Sequence, residues 1–131
     1  MNYLKLALAL IGSLLILSCN RSNLKETTID LPSNKLVSYS LTKNTKYLIV
    51  FESGLGMDHN SWTRTDLITK ISSFTDVLLY DRAGIGKSAK GPDPRNIERL
   101  SAELGGVIDK FSNGRKVILV GHSLGGLIIR D

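Results

Sequence analysis

The sequence predicts an α/β domain: a mostly parallel sheet with helices on both faces. Three observations predict it. Short β-branched and aliphatic runs alternate with longer stretches whose apolar residues recur every three or four positions. Tyr47 to Phe51, Val77 to Tyr80 and Lys116 to Val120 are almost continuously apolar, as strands covered on both faces are. Each of these runs is followed by a glycine-containing segment, at the strand end where open α/β sheets place their sites.

Taken in order, Met1 to Lys5 carries one positive charge, and Leu6 to Leu17 is apolar except for Gly12 and Ser13. That run is shorter than the ~20 residues of a membrane-spanning helix and suits a signal-peptide core. Residues 1–18 are therefore expected to be a signal peptide, 19–26 a polar tether, and 27–131 the folded part. Thr27 to Leu31 is expected as a first strand, stopped by Pro32, and Leu36 to Thr42 as a second, with Leu36, Tyr39 and Leu41 apolar. A polar turn, Lys43 to Lys46, leads into the strand Tyr47 to Phe51. A helix is expected from Asn60 or Ser61 to Ser72, with Trp62, Leu67, Ile68 and Ile71 inward. After the strand Val77 to Tyr80, Asp81 to Pro94 reads as loop. Arg95 to Phe111 reads as a helix whose stripe is Ile97, Leu100, Leu104, Val107, Ile108 and Phe111, ended by Asn113-Gly114. The strand Lys116 to Val120 follows, and a helix starts at Leu124.

The chain has 131 residues, enough for one modest domain. Its net charge of +5 is spread along the chain without a basic block, and few aromatics interleave with the cations. Both features argue for a solvated surface and against a nucleic-acid partner. One cysteine, Cys19, excludes an intramolecular disulfide.

Three segments carry the chemistry. Gly121-His122-Ser123-Leu124-Gly125 is a G-x-S-x-G sequence between an apolar strand and a helical run. A sharp strand-to-helix turn exposes the serine hydroxyl but crowds the backbone, and the flanking glycines remove the side chains that would clash. A helix start behind the serine directs positive charge at a developing oxyanion. Glu52-Ser53-Gly54-Leu55-Gly56 follows the strand Tyr47 to Phe51, and Tyr80-Asp81-Arg82-Ala83-Gly84-Ile85-Gly86-Lys87-Ser88 follows the next. Asp81 and Arg82 are expected to hydrogen-bond neighbouring loops. Gly86-Lys87-Ser88 is not a P-loop: the position that needs glycine is Asp81, whose charge would repel phosphate.

These segments, in this order, resemble the α/β-hydrolase superfamily from Tyr47 to Asp131. The resemblance implies an α/β-hydrolase fold cut after the nucleophile elbow. It implies Ser123 as nucleophile, Gly121, His122 and Gly125 as the elbow, and the backbone N–H groups of Leu55 and Leu124 as the oxyanion hole. Ser53 stands where the family commonly has histidine. Serine at 123 argues against the dehalogenase and epoxide-hydrolase branches, which use a carboxylate nucleophile. Esterase, lipase, lysophospholipase, thioesterase and iminopeptidase chemistry stay open, on a small-molecule acyl substrate with neither metal nor organic cofactor. In the family the triad acid and histidine follow the serine, yet after Ser123 the sequence holds no histidine and Asp131 as its sole acid. His122 is expected to pack away from the nucleophile, and His59 to be a solvent-facing loop residue. A serine hydrolase whose remaining half lies past Asp131, and which is inactive as given, is one reading. A non-catalytic lipoprotein remnant is the other.

Ile16-Leu17-Ser18-Cys19 resembles a bacterial lipobox. The resemblance implies diacylglyceryl transfer to Cys19 and an exported protein anchored in a bacterial membrane, facing the periplasm or the cell surface.

Overall fold

The computed structural model describes residues 23–131. The expected signal peptide and Cys19 lie outside them. The elements are β1 (Lys25–Leu31), β2 (Asn34–Leu41), β3 (Tyr47–Glu52), α1 (Asn60–Thr63), α2 (Leu67–Ser72), β4 (Asp76–Asp81), α3 (Ile97–Ser112), β5 (Lys116–Gly121) and α4 (Leu124–Ile128). Alternating helices and strands make an α/β fold, as the apolar periods predict.

One five-stranded sheet runs in the order β1-β2-β4-β3-β5. β4, β3 and β5 are parallel, with Val50 opposite both Leu78 and Leu119. β1 and β2 form an antiparallel hairpin that joins the far side of β4, so the sheet is mixed. Period-two alternation sorts its side chains. Leu36, Leu48, Val50, Leu78 and Tyr80 face Leu100, Leu104 and Val107 of α3 and Ile128 of α4. Val37, Tyr39, Phe51, Val77 and Leu79 face Ile68 of α2, with Trp62 of α1 against them. Helices therefore cover both faces.

Three expectations change. The folded part includes residues 25 and 26, assigned above to the tether, because Lys25 pairs with Ser40 and Glu26 with Tyr39. The long partner strand β2 gives those backbone groups a ladder to join. The helix expected from 60 to 72 is two short helices separated by Arg64–Asp66. Thr63, Thr65 and Asp66 are weak helix formers, and the Thr65 hydroxyl accepts from Leu67 N–H at 3.3 Å, competing with the helical bond. The break turns Leu67 outward, whereas Ile68 is buried as expected.

α3 begins two residues later than expected. The Asn96 side chain accepts from Arg99 N–H at 3.1 Å and caps it. Asn113, left-handed at φ 45°, and Gly114 end it as expected. β5 is the outer strand on its side, with Ile118 44% exposed, and Leu127 of α4 is exposed beside it. Among the described residues no helix is long and apolar enough to cross a membrane.

Candidate active site

Strands β3, β4 and β5 are parallel, so the three loops that follow them emerge at one end of the sheet. The turn after β5 carries Ser123, which is exposed. Its backbone sits at φ 52°, ψ −119°, a region that costs a residue with a side chain about 1–3 kcal/mol. Packing enforces it. A Cβ on Gly125 would lie 2.1 Å from the Glu52 carbonyl oxygen, and one on Gly121 would lie 2.6 Å from the Gly125 carbonyl oxygen. The glycines on either side of Ser123 thus let α4 start directly against the end of β3. His122 N–H donates to the Glu52 carbonyl at 3.0 Å and extends the β3–β5 ladder into the turn.

The loop after β3 turns at Gly54–Met57. Met57 N–H donates to the Gly54 carbonyl at 3.2 Å, and Gly56 takes φ 66°. Leu55 sits at the tip with its side chain 79% exposed. Among the described residues the N–H groups of Leu55 and Leu124 have no acceptor. The His122 ring lies against Gly54, where a Cβ would be 3.0 Å from Nδ1, and meets Trp62 edge-on at 6.3 Å between centroids. Ser53 is buried, and its hydroxyl accepts from Trp62 Nε1 at 2.9 Å. That bond ties the loop to α1.

The loop after β4 is held from beneath by its own carboxylate. Asp81 is fully buried. It accepts from His59 N–H and lies against His59 Nδ1, both at 2.9 Å. It also accepts from Lys87 N–H at 3.1 Å and from the Tyr39 hydroxyl at 3.3 Å. Burial, with the Asp81 charge beside it, pushes the Tyr39 hydroxyl well above its ordinary range. A Cβ on Gly86 would collide with the Asp81 carboxylate at 2.2 Å, which is why a glycine at φ 53° stands there.

Arg82 reaches the other way. Its Nη1 donates to Glu52 Oε1 and to the Ser53 carbonyl, and its Nη2 donates to the Gly54 carbonyl. The Tyr80 hydroxyl donates to the second Glu52 oxygen. All three side chains are buried. Burial pushes the Glu52 carboxyl up, while the Tyr80 hydroxyl and the Arg82 guanidinium oppose that shift. Burial, then the Glu52 charge, pushes the Tyr80 hydroxyl well above its ordinary range.

The expected site residues therefore meet. Gly121, His122, Ser123, Leu124 and Gly125 form one turn, packed against Glu52 to Gly54, the segment that leads into Leu55. Asp81 and Arg82 bond neighbouring loops, as expected. His59 corrects the reading: it is not solvent-facing but stacks on Tyr39 at 3.4 Å and pairs with Asp81. Three buried groups escaped the sequence reading. Glu52 and Tyr80 were each the first residue of a segment named above, without a role, and Glu103 lies within the stripe of α3. Glu103 accepts from Ala83 N–H, Asn34 Nδ2 and Arg95 Nη2, each at 2.9 Å, and anchors α3 to the loop after β4. Polar residues on an apolar face were the available signal.

A cleft of about 360 Å³ opens between the loops after β3 and β4, lined by Met57, Asp58, Ser61, Arg64 and Ile85 among others. Ser123 does not line it. Among the described residues no three His, Cys, Asp or Glu side chains converge as metal ligands.

Comparison with known proteins agrees with this arrangement. A Pseudomonas savastanoi pv. phaseolicola protein named "Putative carbamate hydrolase RutD" is 37% identical over 82 residues, covering 62% of this chain and 30% of that protein. The uncharacterized protein YbdG of Bacillus subtilis is 29% identical over 103 residues, 79% of this chain and 31% of that protein. Among solved structures, the Cif epoxide hydrolase from Acinetobacter nosocomialis superposes with a TM-score of 0.71 at 25% identity, covering 79% of this chain and 32% of that one. A hydrolase from Pseudomonas aeruginosa PA01 gives 0.67 at 24% identity, over 83% and 40%. The chain thus spans about 30% of the length of these curated relatives. The model described as the alpha/beta hydrolase family matches residues 49–131, more than half of the sequence, and the chain belongs to that family.

Proposed function

We propose that the protein to which these residues belong is a serine hydrolase acting on a carboxylic ester, thioester or amide. One observation carries the reading. Ser123 is held exposed in a strained conformation between glycines that cannot bear a side chain. Such strain persists only where the surroundings impose it, and it clusters at reactive residues. The reading implies the following reaction. Ser123 Oγ forms a bond to the substrate carbonyl carbon while a histidine takes the hydroxyl proton. The N–H groups of Leu55 and Leu124, which have no acceptor among the described residues, stabilise the oxyanion. The carbon–leaving-group bond breaks as the histidine returns its proton, and water then releases the acyl group from Ser123. In this family the acid and the histidine follow the elbow along the chain. Residues 1–131 hold two histidines, and His59 is engaged by Asp81. The His122 ring packs against Gly54 and Trp62, so on this reading the base comes from elsewhere in the protein.

An epoxide hydrolase is among the structural neighbours. Its likeness supports the fold, whereas the residue at the elbow supports acyl transfer: a hydroxyl nucleophile needs a base and an oxyanion hole. A fluorophosphonate probe tests this. The full-length protein should be labelled, its Ser123→Ala variant should not, and the 131-residue form should react far more slowly. Equal labelling with and without Ser123 would remove the nucleophile assignment.

We also propose that Cys19 carries a diacylglyceryl group and anchors the protein in a bacterial membrane, periplasm-facing or at the cell surface. The apolar run ending in Ser18-Cys19 supports it. Labelled fatty acid should enter the parent in a bacterial host and not Cys19→Ala. Label retained by the variant, or absent from the parent, would refute it.

A further inference from the structure

We propose that Arg82 is the positioning residue of the oxyanion hole: by holding the Gly54 carbonyl it aims the Leu55 N–H at the reacting carbonyl. This rests on the serine-hydrolase reading above. The first link is covalent. A trans peptide carries its C=O and the following N–H on opposite sides. Arg82 Nη2 donates to the Gly54 carbonyl, so the Leu55 N–H points away from the guanidinium. The Ser53 carbonyl accepts from Nη1, which directs the Gly54 N–H likewise. Two successive peptides are thereby fixed in rotation.

The turn alone does not fix them as well. Its one backbone bond, Met57 N–H to the Gly54 carbonyl, is 3.2 Å long, and its tip is solvent-exposed. Gly54 and Gly56, both within the turn, add backbone freedom. A rigid anchor is needed on the buried side, and a planar guanidinium supplies it. Its fork reaches the Glu52 carboxylate and both carbonyls together, which a lysine ammonium cannot match in direction.

The anchor is itself anchored. Glu52 gives one carboxylate oxygen to Arg82 and the other to the Tyr80 hydroxyl. Glu52 ends β3, and Tyr80 lies on β4, so the guanidinium is referenced to the rigid sheet. The elbow is referenced to the same point, since His122 N–H donates to the Glu52 carbonyl and Gly125 abuts it. Nucleophile and oxyanion donor share one origin. A buried arginine with a buried carboxylate is a costly way to brace a loop merely for stability. Aiming a donor accounts for the choice.

The test uses the full-length protein and the variants Arg82→Lys, Tyr80→Phe and Ser123→Ala. Steady-state hydrolysis of a p-nitrophenyl ester gives kcat and KM. Inhibition by an alkyl trifluoromethyl ketone, which forms a tetrahedral oxyanion on serine, is compared with the matching methyl ketone, which binds without forming it. Misaiming one donor should cost part of the ~10²–10³-fold that its loss costs. Arg82→Lys should therefore lower kcat about 30- to 100-fold at near-parental KM. Trifluoromethyl ketone affinity should fall by the same factor and methyl ketone affinity should hold. Parental kcat in folded Arg82→Lys, or equal weakening of both ketones, would overturn the proposal. If Arg82→Lys does not fold, Tyr80→Phe decides, because it keeps the Glu52–Arg82 pair. A fall in kcat of several-fold with unchanged KM supports the proposal, and parental kcat overturns it. Ser123→Ala separates the two levels: parental turnover there would remove the serine-hydrolase reading itself.

Discussion

Replacing Ser123 with alanine in the full-length protein is expected to lower ester turnover by about 10³- to 10⁶-fold. The expectation follows from division of labour. On the proposed serine-hydrolase reading, loss of the hydroxyl removes the acyl-enzyme route and leaves direct attack by water. On the same reading the Leu55 and Leu124 N–H groups remain as oxyanion donors, so some catalysis over water should survive. Substrate affinity should change little, because the lost atom contacts the carbonyl carbon only as the bond forms. Stability should change little as well, since alanine at φ 52° carries the same backbone strain as serine. Glycine at that position can adopt the conformation freely. Ser123→Gly should be equally inactive yet no less stable than Ser123→Ala. Thermal unfolding and ester hydrolysis, measured on the three proteins together, check this. Turnover within ten-fold of the parent in both variants would sink it.

The fold was legible where one physical signal dominated. Val77 to Tyr80 is buried on both faces and Tyr47 to Phe51 largely so, and continuous apolarity reports that directly; Lys116 to Val120 is as apolar but lies at the edge of the sheet, half-exposed. α3 was legible from its stripe, and its end from Asn113-Gly114. The segment 60–72 was misread because Trp62, Ile68 and Ile71 fit one helical face whether or not the backbone between them is helical. All three pack on the same core, but Arg64–Asp66 leave the helix, and Leu67 turns outward. Hydrophobic spacing records which residues are inward and does not record the hydrogen bonds of Thr65. The start of β1 was misread for a related reason. Lys25 and Glu26 are charged and look like tether, yet an edge strand exposes alternate side chains and needs only backbone partners.

The candidate site was legible in its turns and opaque in its buried polar groups. Gly121, Gly125 and Gly86 each mark a place where two backbones, or a backbone and a side chain, come too close for a Cβ. Glycine at such a point is a local consequence of geometry, so local sequence reveals it. Glu52, Tyr80 and Arg82 form a network only because β3 and β4 are neighbours in register, with Phe51 opposite Leu79. That pairing is not local. Nor is the fate of His59, whose ring is taken out of solvent by Tyr39 and Asp81. In the sequence these partners are separated from it by 20 and 22 positions respectively.

Gly125 offers the sharpest check on how the elbow meets β3. Gly125→Ala is expected to destabilise the protein by about 1–3 kcal/mol or more, as overpacking of a closed site does. It should also lower kcat about 100-fold, because a displacement near 1 Å in a reacting group has that order of effect. The added methyl would lie 2.1 Å from the Glu52 carbonyl oxygen, 2.7 Å from the Glu52 carbonyl carbon and 2.9 Å from the Ser53 carbonyl oxygen. These are backbone atoms in and just after β3, held by the pairing of Glu52 with Gly121 and by Arg82 on the Ser53 carbonyl, and cannot swing aside as a flexible side chain would. α4 must instead withdraw from β3. Withdrawal stretches the 3.0 Å bond from His122 N–H to Glu52 and moves Leu124 away from the end of β3. Ser123 and the N–H groups of Leu55 and Leu124 then lose their common reference. Gly126→Ala, one residue on in the same helix, is the control. Nothing lies within 4 Å of the point its added methyl would occupy, so alanine there should be neutral or stabilising by up to about 1 kcal/mol through helix propensity. Denaturant unfolding and ester hydrolysis of the pair separate crowding at β3 from a general effect on α4. If Gly125→Ala matched the parent in both, or if Gly126→Ala were equally damaging, the close contact between the elbow and the end of β3 would not govern the site.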